Sequence, residues 1–174
     1  MKGRFQLYTG NGKGKTTAAL GLAVRAACAN LNVYFGQFMK GRDYSELCLP
    51  DRFPGLITME QFGTPRLICK GEKPSEDDIR SASDGLNKIR SAMKSGKYSI
   101  VIADELNVTV YMGLLDKDDV MDFIDQRPDG VELVLTGRYA PECFVEAADL
   151  VTEMREVKHY YKTEKLLARK GIES

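Results

Sequence analysis

Thr9-Gly10-Asn11-Gly12-Lys13-Gly14-Lys15-Thr16-Thr17 is the stretch on which the reading of this chain turns. An apolar run (Phe5, Leu7, Tyr8) precedes it, and an alanine-rich amphipathic run from Ala18 to Ala29 follows. The order is strand, glycine loop, helix. Glycines tolerate the positive φ of a tight loop and let backbone N–H groups converge on an anion. The helix N-terminus adds a partial positive charge. Lys15 supplies a mobile cation for phosphate oxygens, and the Thr16 hydroxyl is placed for Mg²⁺. The match to G-x-x-x-x-G-K-[ST] fails only at its first position, where Thr9 stands and the glycine comes one place later, at Gly10. The alternative, a glycine-rich turn that binds nothing, leaves unexplained why Gly14-Lys15-Thr16-Thr17 opens a helix straight after a strand.

Working outward, apolar strand-like runs alternate with helical patterns, which predicts an α/β fold with a mostly parallel central sheet. Strands are expected at Asn32–Met39, Leu56–Glu60, Tyr98–Ala103, Val131–Leu135 and Leu150–Met154. The stretch from Gln61 to Pro74 holds two glycines and two prolines and reads as a long loop. Ser75 is an N-cap for a helix that opens on Glu76, Asp77 and Asp78 and runs to about Ser95. Further helices are expected around Leu106–Met112, over Asp116–Gln126 and over Pro141–Ala148. The tail from Glu156 is basic and aromatic.

The 174 residues suit one domain, and no linker or repeat divides them. Lys and Arg number 25 and so do Asp and Glu, so charge alone gives no attraction to nucleic acid or membrane. No apolar run approaches the roughly 20 residues of a membrane span. The start of the chain shows no signal-peptide pattern. Four scattered cysteines (Cys28, Cys48, Cys69, Cys143) suit reduced thiols, so a cytoplasmic location is expected.

Asp104-Glu105 closes the most apolar strand, at the edge where parallel sheets bind ligands and where the glycine loop also lies. One of the two acids is expected to hold Mg²⁺ directly or through water; alone they would read as a solvated pair. Arg138, after another strand, either neutralises phosphate or sits on the surface. Arg25 either reaches the nucleotide or pairs with an acid. The single histidine, His159, reads as a surface or packing residue, and no Ser-His-Asp, Cys-His or H-x-x-x-H arrangement occurs. Any catalysis is then expected from positioning and charge neutralisation.

Taken in order, Thr9 to Ala19, Gln37-Phe38-Met39-Lys40-Gly41, Ala103-Asp104-Glu105-Leu106, Leu135-Thr136-Gly137-Arg138, Ala148 to Met154, Val157-Lys158-His159 and Ala168-Arg169-Lys170-Gly171-Ile172-Glu173 resemble the ATP:corrinoid adenosyltransferases of the CobA/BtuR type. The displaced glycine belongs to that family's loop. The resemblance implies a three-layer RecA-like phosphate-loop domain, usually a homodimer. It implies transfer of the 5′-deoxyadenosyl group of ATP to the cobalt of a cob(I) corrinoid, with release of triphosphate. Gly10, Asn11, Gly12, Lys13, Gly14, Lys15, Thr16 and Thr17 would bind the nucleotide, with Asn11 and Arg25 on the ribose side. Thr16 and Glu105 would ligate Mg²⁺, with Asp104 behind them. Lys15, Glu105 and Arg138 would carry catalysis, and a separate reductant such as a flavoprotein would supply Co(I). The chain departs from better-known members in three places. It begins almost at the first strand, so the cap they fold over the corrinoid is expected to be missing or differently built. Their aromatic loop reads Gly63-Thr64-Pro65-Arg66-Leu67-Ile68 here, leaving Phe62, Leu67 and Ile68 as corrinoid-facing candidates. No aromatic residue closes the tail. The competing readings are a nucleotide-binding regulatory protein and an ordinary phosphoryl-transfer enzyme or ATPase.

Overall fold

The structure, a computed structural model, describes residues 2–66, 68 and 72–173. Six strands, β1 (Phe5–Thr9), β2 (Val33–Phe38), β3 (Ile57–Phe62), β4 (Ile100–Asp104), β5 (Glu132–Thr136) and β6 (Leu150–Glu153), form one sheet in the order β3-β2-β4-β5-β1-β6. Every pairing is parallel, as in RecA-like phosphate-loop domains. The chain therefore returns through helices: α1 (Lys15–Cys28), α2 (Leu49–Arg52), α3 (Glu76–Lys94), α4 (Leu106–Tyr111), α5 (Lys117–Asp125) and α6 (Glu142–Ala147). A short α7 (Tyr160–Glu164) lies in the tail.

Both faces of the sheet are covered, so the central strands are apolar throughout: every residue of β2 and β4 is buried. The period of two divides their side chains between two cores. Val33, Phe35, Ile100, Ile102 and Val134 meet the alanine stripe of α1 (Ala19, Ala23, Ala26, Ala27). Phe38, Val101, Ala103, Leu133 and Leu135 join Leu86, Ile89 and Met93 of α3 and Phe123 of α5 on the other face. The small side chains of α1 let it lie close over the strand ends that carry the loop.

Several boundaries shift from the expected ones. Helix α1 begins at Lys15, inside the glycine motif, and β3 continues to Phe62. Ser75 caps α3 through a reciprocal box with Asp78, and Asp116 caps α5. The 3₁₀ turn Ser45–Cys48 with α2, and α7, are too short to show a helical period in sequence.

Candidate nucleotide site

Parallel strands share one C-terminal edge, and the order of this sheet brings the ends of β1, β4 and β5 together there. The turn after β1 is held by glycine geometry. Gly10 has φ 93°, and a Cβ there would sit 2.6 Å from the Met154 carbonyl oxygen. The Gly12 N–H donates to that same oxygen at 2.6 Å. The end of β6 thus braces the loop from outside. Gly14, with φ 120°, is the N-cap of α1 and offers no side chain to the helix's first N–H groups. Those donors are left for an anion.

Lys15 is 5% exposed, and its ammonium donates to the Gly10 and Gly12 carbonyls at 2.7 and 2.8 Å. Burial lowers its pKa, partly offset by Glu105. The cation is held inside its own loop, where anionic oxygens would bind it more strongly than neutral carbonyls do.

Asp104 is fully buried at the end of β4 and organises the floor. The hydroxyls of Thr16 and Thr136 donate to its Oδ1 at 2.9 and 2.7 Å, and Lys40 Nζ lies 3.0 Å from Oδ2. Lys40 also reaches Glu46 at 3.4 Å, and the Gln37 amide donates to Glu46 at 3.0 Å. Thr136 accepts the Glu105 N–H at 3.0 Å, which fixes the turn after β4. At that turn Glu105 takes φ 61°, an uncommon conformation for a residue with a side chain. Glu105 lines the cleft, and among the described residues nothing donates a hydrogen bond to its carboxylate. Burial first, then repulsion from Asp104, raises its pKa, against the pull of Lys40, Lys15 and Arg138. An ionised carboxylate in this setting needs a cation beside it.

A cleft of about 530 Å³ opens above this floor. Of the residues expected at the site, Gly12, Lys13, Gly14, Lys15, Thr16, Thr17, Glu105 and Arg138 line it. Arg138 follows Gly137, whose φ is 134° and whose carbonyl accepts from the buried Asn107 amide at 3.0 Å. Gly10 contributes its carbonyl to Lys15 from below. Asn11 is exposed and stands outside the lining. Arg25 is brought no nearer: it lies in the last turn of α1, about 15 Å along the axis from Lys15 at 1.5 Å per residue. Phe62, expected to face a corrinoid, is 5% exposed; its ring packs 5.3 Å from that of Phe38 and against Gly85 of α3. The alternation of β3 turns it into the core. Ile68 also packs against that core, and Leu67 lies outside the described residues.

Sequence reasoning passed over Lys40, Tyr44 and Glu46, which form one wall, and His159 with Gly171, Ile172 and Glu173, which line another. Lys40 was within reach, because Gln37 to Gly41 is one of the ordered motifs. Thr136, likewise inside a motif, carries the hydrogen bond that shapes the Glu105 turn.

Fold and loop together define an α/β domain of the phosphate-loop kind. The family described as ATP:corrinoid adenosyltransferase BtuR/CobO/CobP matches residues 1–174, and the chain belongs to it. Members bearing that name are transferases of alkyl groups. The chain is 33% identical over 173 residues to a corrinoid adenosyltransferase of Pseudomonas aeruginosa, covering 99% of this chain and 84% of that protein. It is 30% identical over 165 residues to the corrinoid adenosyltransferase of Escherichia coli, covering 92% and 80%. An uncharacterized protein of Nostoc is 34% identical over 186 residues; that match takes in 99% of this chain but 48% of the Nostoc protein, so the chain spans about half its length. No helix among the described residues is long and apolar enough to cross a membrane.

Proposed function

We propose that the chain works as one phosphate-loop domain that transfers the 5′-deoxyadenosyl group of ATP to the cobalt of a cob(I) corrinoid and releases triphosphate. Co(I) attacks C5′, the C5′–O bond breaks, and the triphosphate leaves with the electron pair. Co(I) is itself the nucleophile, which agrees with a cleft whose described lining offers cations and backbone donors and, among the described residues, no activated side-chain nucleophile. The observation that carries the reading is family membership joined to a cleft in which loop N–H groups, Lys13, Lys15 and Arg138 face the space left for a polyphosphate.

Mg²⁺ suits the donor set. It favours oxygen ligands, keeps several waters and needs only one or two protein groups beside the phosphates. The Thr16 hydroxyl, already oriented by Asp104, and the Glu105 carboxylate, which accepts no hydrogen bond among the described residues, are those groups. When bound, the ion would neutralise charge that builds on the departing triphosphate. Lys15 exchanges its loop carbonyls for phosphate oxygens, the α1 N-terminus caps the anion, and Arg138 stands at the rim. In this reading the working unit is a cytoplasmic homodimer supplied with Co(I) by a separate reductant such as a flavoprotein, in the synthesis or salvage of the adenosylated coenzyme.

Anaerobic incubation with MgATP and chemically reduced cob(I)alamin tests it. The expected result is a carbon–cobalt product with one triphosphate per corrinoid. Bound ATP with no corrinoid change, or ADP and phosphate as products, would overturn it.

A further inference from the structure

One wall of the cleft comes from the far end of the chain. Gly171, Ile172 and Glu173 line the cleft together with the loop, and Lys13 Nζ donates to the Ile172 carbonyl at 3.1 Å. The segment that delivers them is closed on itself by one carboxylate. Glu173 accepts from the Tyr160 hydroxyl, from the Arg169 backbone N–H at 2.9 Å, and from the Arg169 guanidinium at 3.1 and 3.3 Å. The guanidinium also lies 5.2 Å from the centre of the Tyr160 ring. The bonds from Arg169, then Tyr160, hold the Glu173 pKa down to about 2, so the group is an anion at neutral pH. At the base of the segment, His159 lines the cleft and caps α7, its Nδ1 accepting from the Tyr161 N–H at 3.1 Å.

A carboxylate at the rim of a polyphosphate site is repulsive unless its charge is answered. Here Arg169 and Tyr160 answer it from the outer side, which lets the segment lie against the loop. Lys13 has three N–H donors, so it can keep the Ile172 carbonyl and take a phosphate oxygen at the same time. We propose that Tyr160–Glu173 is a built wall of the polyphosphate site, that Lys13 couples this wall to the bound anion, and that Tyr160 and Arg169 are positioning residues acting through Glu173. The inference rests on the cleft being a triphosphate site and is independent of corrinoid chemistry. Its ligand class is a linear polyphosphate, free or as part of a nucleotide.

The test uses the full chain, inorganic tripolyphosphate with Mg²⁺ as probe, and trypsin cleavage after Lys165, Arg169 and Lys170 followed by mass spectrometry. Saturating tripolyphosphate is expected to slow these cleavages about five-fold, the change in open population that one added hydrogen bond supplies. In Lys13→Met, calorimetry should still detect weakened binding, while saturation gives no slowing. Tyr160→Phe and Arg169→Gln should each weaken tripolyphosphate binding by roughly ten-fold without moving the denaturation midpoint, a separation that a merely structural tail would not produce. Unchanged or faster cleavage on saturation, or full protection in Lys13→Met, overturns the proposal. Absence of any calorimetric binding overturns the reading of the cleft itself, whereas tripolyphosphate protection without adenosyl transfer supports the wall and counts only against the corrinoid reaction.

Discussion

Asp104 and Glu105 are neighbours in sequence and opposites in environment. Asp104 points inward and is satisfied by two threonine hydroxyls and Lys40; Glu105, turned by its positive φ, faces the cleft with no donor on its carboxylate among the described residues. Replacing Glu105 by Gln separates function from stability. Its folded-state pKa is raised, so its stabilising contribution is present below the ordinary carboxylate range and lost as pH rises through the folded value. At neutral pH, above the ordinary carboxylate range, that contribution is therefore reduced or gone. Glu105→Gln should raise the denaturation midpoint at pH 7 and leave pH 4 nearly unchanged, while adenosyl transfer falls at least about 100-fold. Full activity in this variant would sink its assignment to the metal. Asp104→Asn should behave differently. It turns a carboxylate that accepts from Thr16, Thr136, Lys40 and Gln37 into a neutral amide and leaves Lys40 only its weaker pairing with Glu46, at a cost of about 3 kcal/mol in urea denaturation; a loss below about 1 kcal/mol would mean that the floor is not built around this carboxylate. The acidic pair and the glycine loop were legible from sequence because strand-end acids and a glycine motif at one sheet edge leave few arrangements. The partners of Asp104 were not, since Lys40 and Thr136 reach it from other strands.

At the scale of elements, the alternation of the sequence is legible because parallel strands and their crossover helices each impose a period. All six strands and the five longer helices fall close to where those periods place them. Phe62 shows the limit of that reading. Assigned to the loop after β3, it is the last residue of the strand, and its ring fills the space beside Gly85 of α3. A Cβ at Gly85 would meet Phe62 Cβ at 2.6 Å and Cγ at 2.5 Å, atoms too near the backbone to swing aside. In a helix, alanine gains up to about 1 kcal/mol over glycine, but this overlap costs about 1–3 kcal/mol. Gly85→Ala should therefore destabilise on balance. Gly21, in α1 with nothing within 4 Å of its absent Cβ, should show the reverse. Gly21→Ala is expected to stabilise by up to about 1 kcal/mol. Equal effects of the two substitutions in urea denaturation would show that helix propensity, and not the packing of Phe62 under α3, governs this interface.

Across the whole molecule, the site is assembled from parts far apart in the chain: a loop at residues 9–17, a β4 end at 104–105, a β5 end at 136–138 and a tail near 172. Sequence periods carry no information on such distant contacts, which is why the tail wall was not legible while the sheet was. The same assembly makes ligand binding and global stability one quantity. An anion seated on the α1 N-terminus, Lys15 and Arg138 touches structure that follows two strands, β1 and β5, of a single sheet, so the chain must be folded to bind it. Binding only the folded state at a hundred times the dissociation constant then adds about 2.7 kcal/mol. MgATP at that ratio should raise the unfolding free energy in urea by this amount and the midpoint with it. Lys15→Ala, tested at the same MgATP concentration, should lose most of the shift. Its unliganded unfolding free energy should fall by no more than about 1–2 kcal/mol, because the lysine's two carbonyl bonds are offset by the burial of its charge. If MgATP stabilises Lys15→Ala as much as the unaltered chain, the anion is not held where the loop, the strand ends and the tail converge, and the cleft must be reassigned.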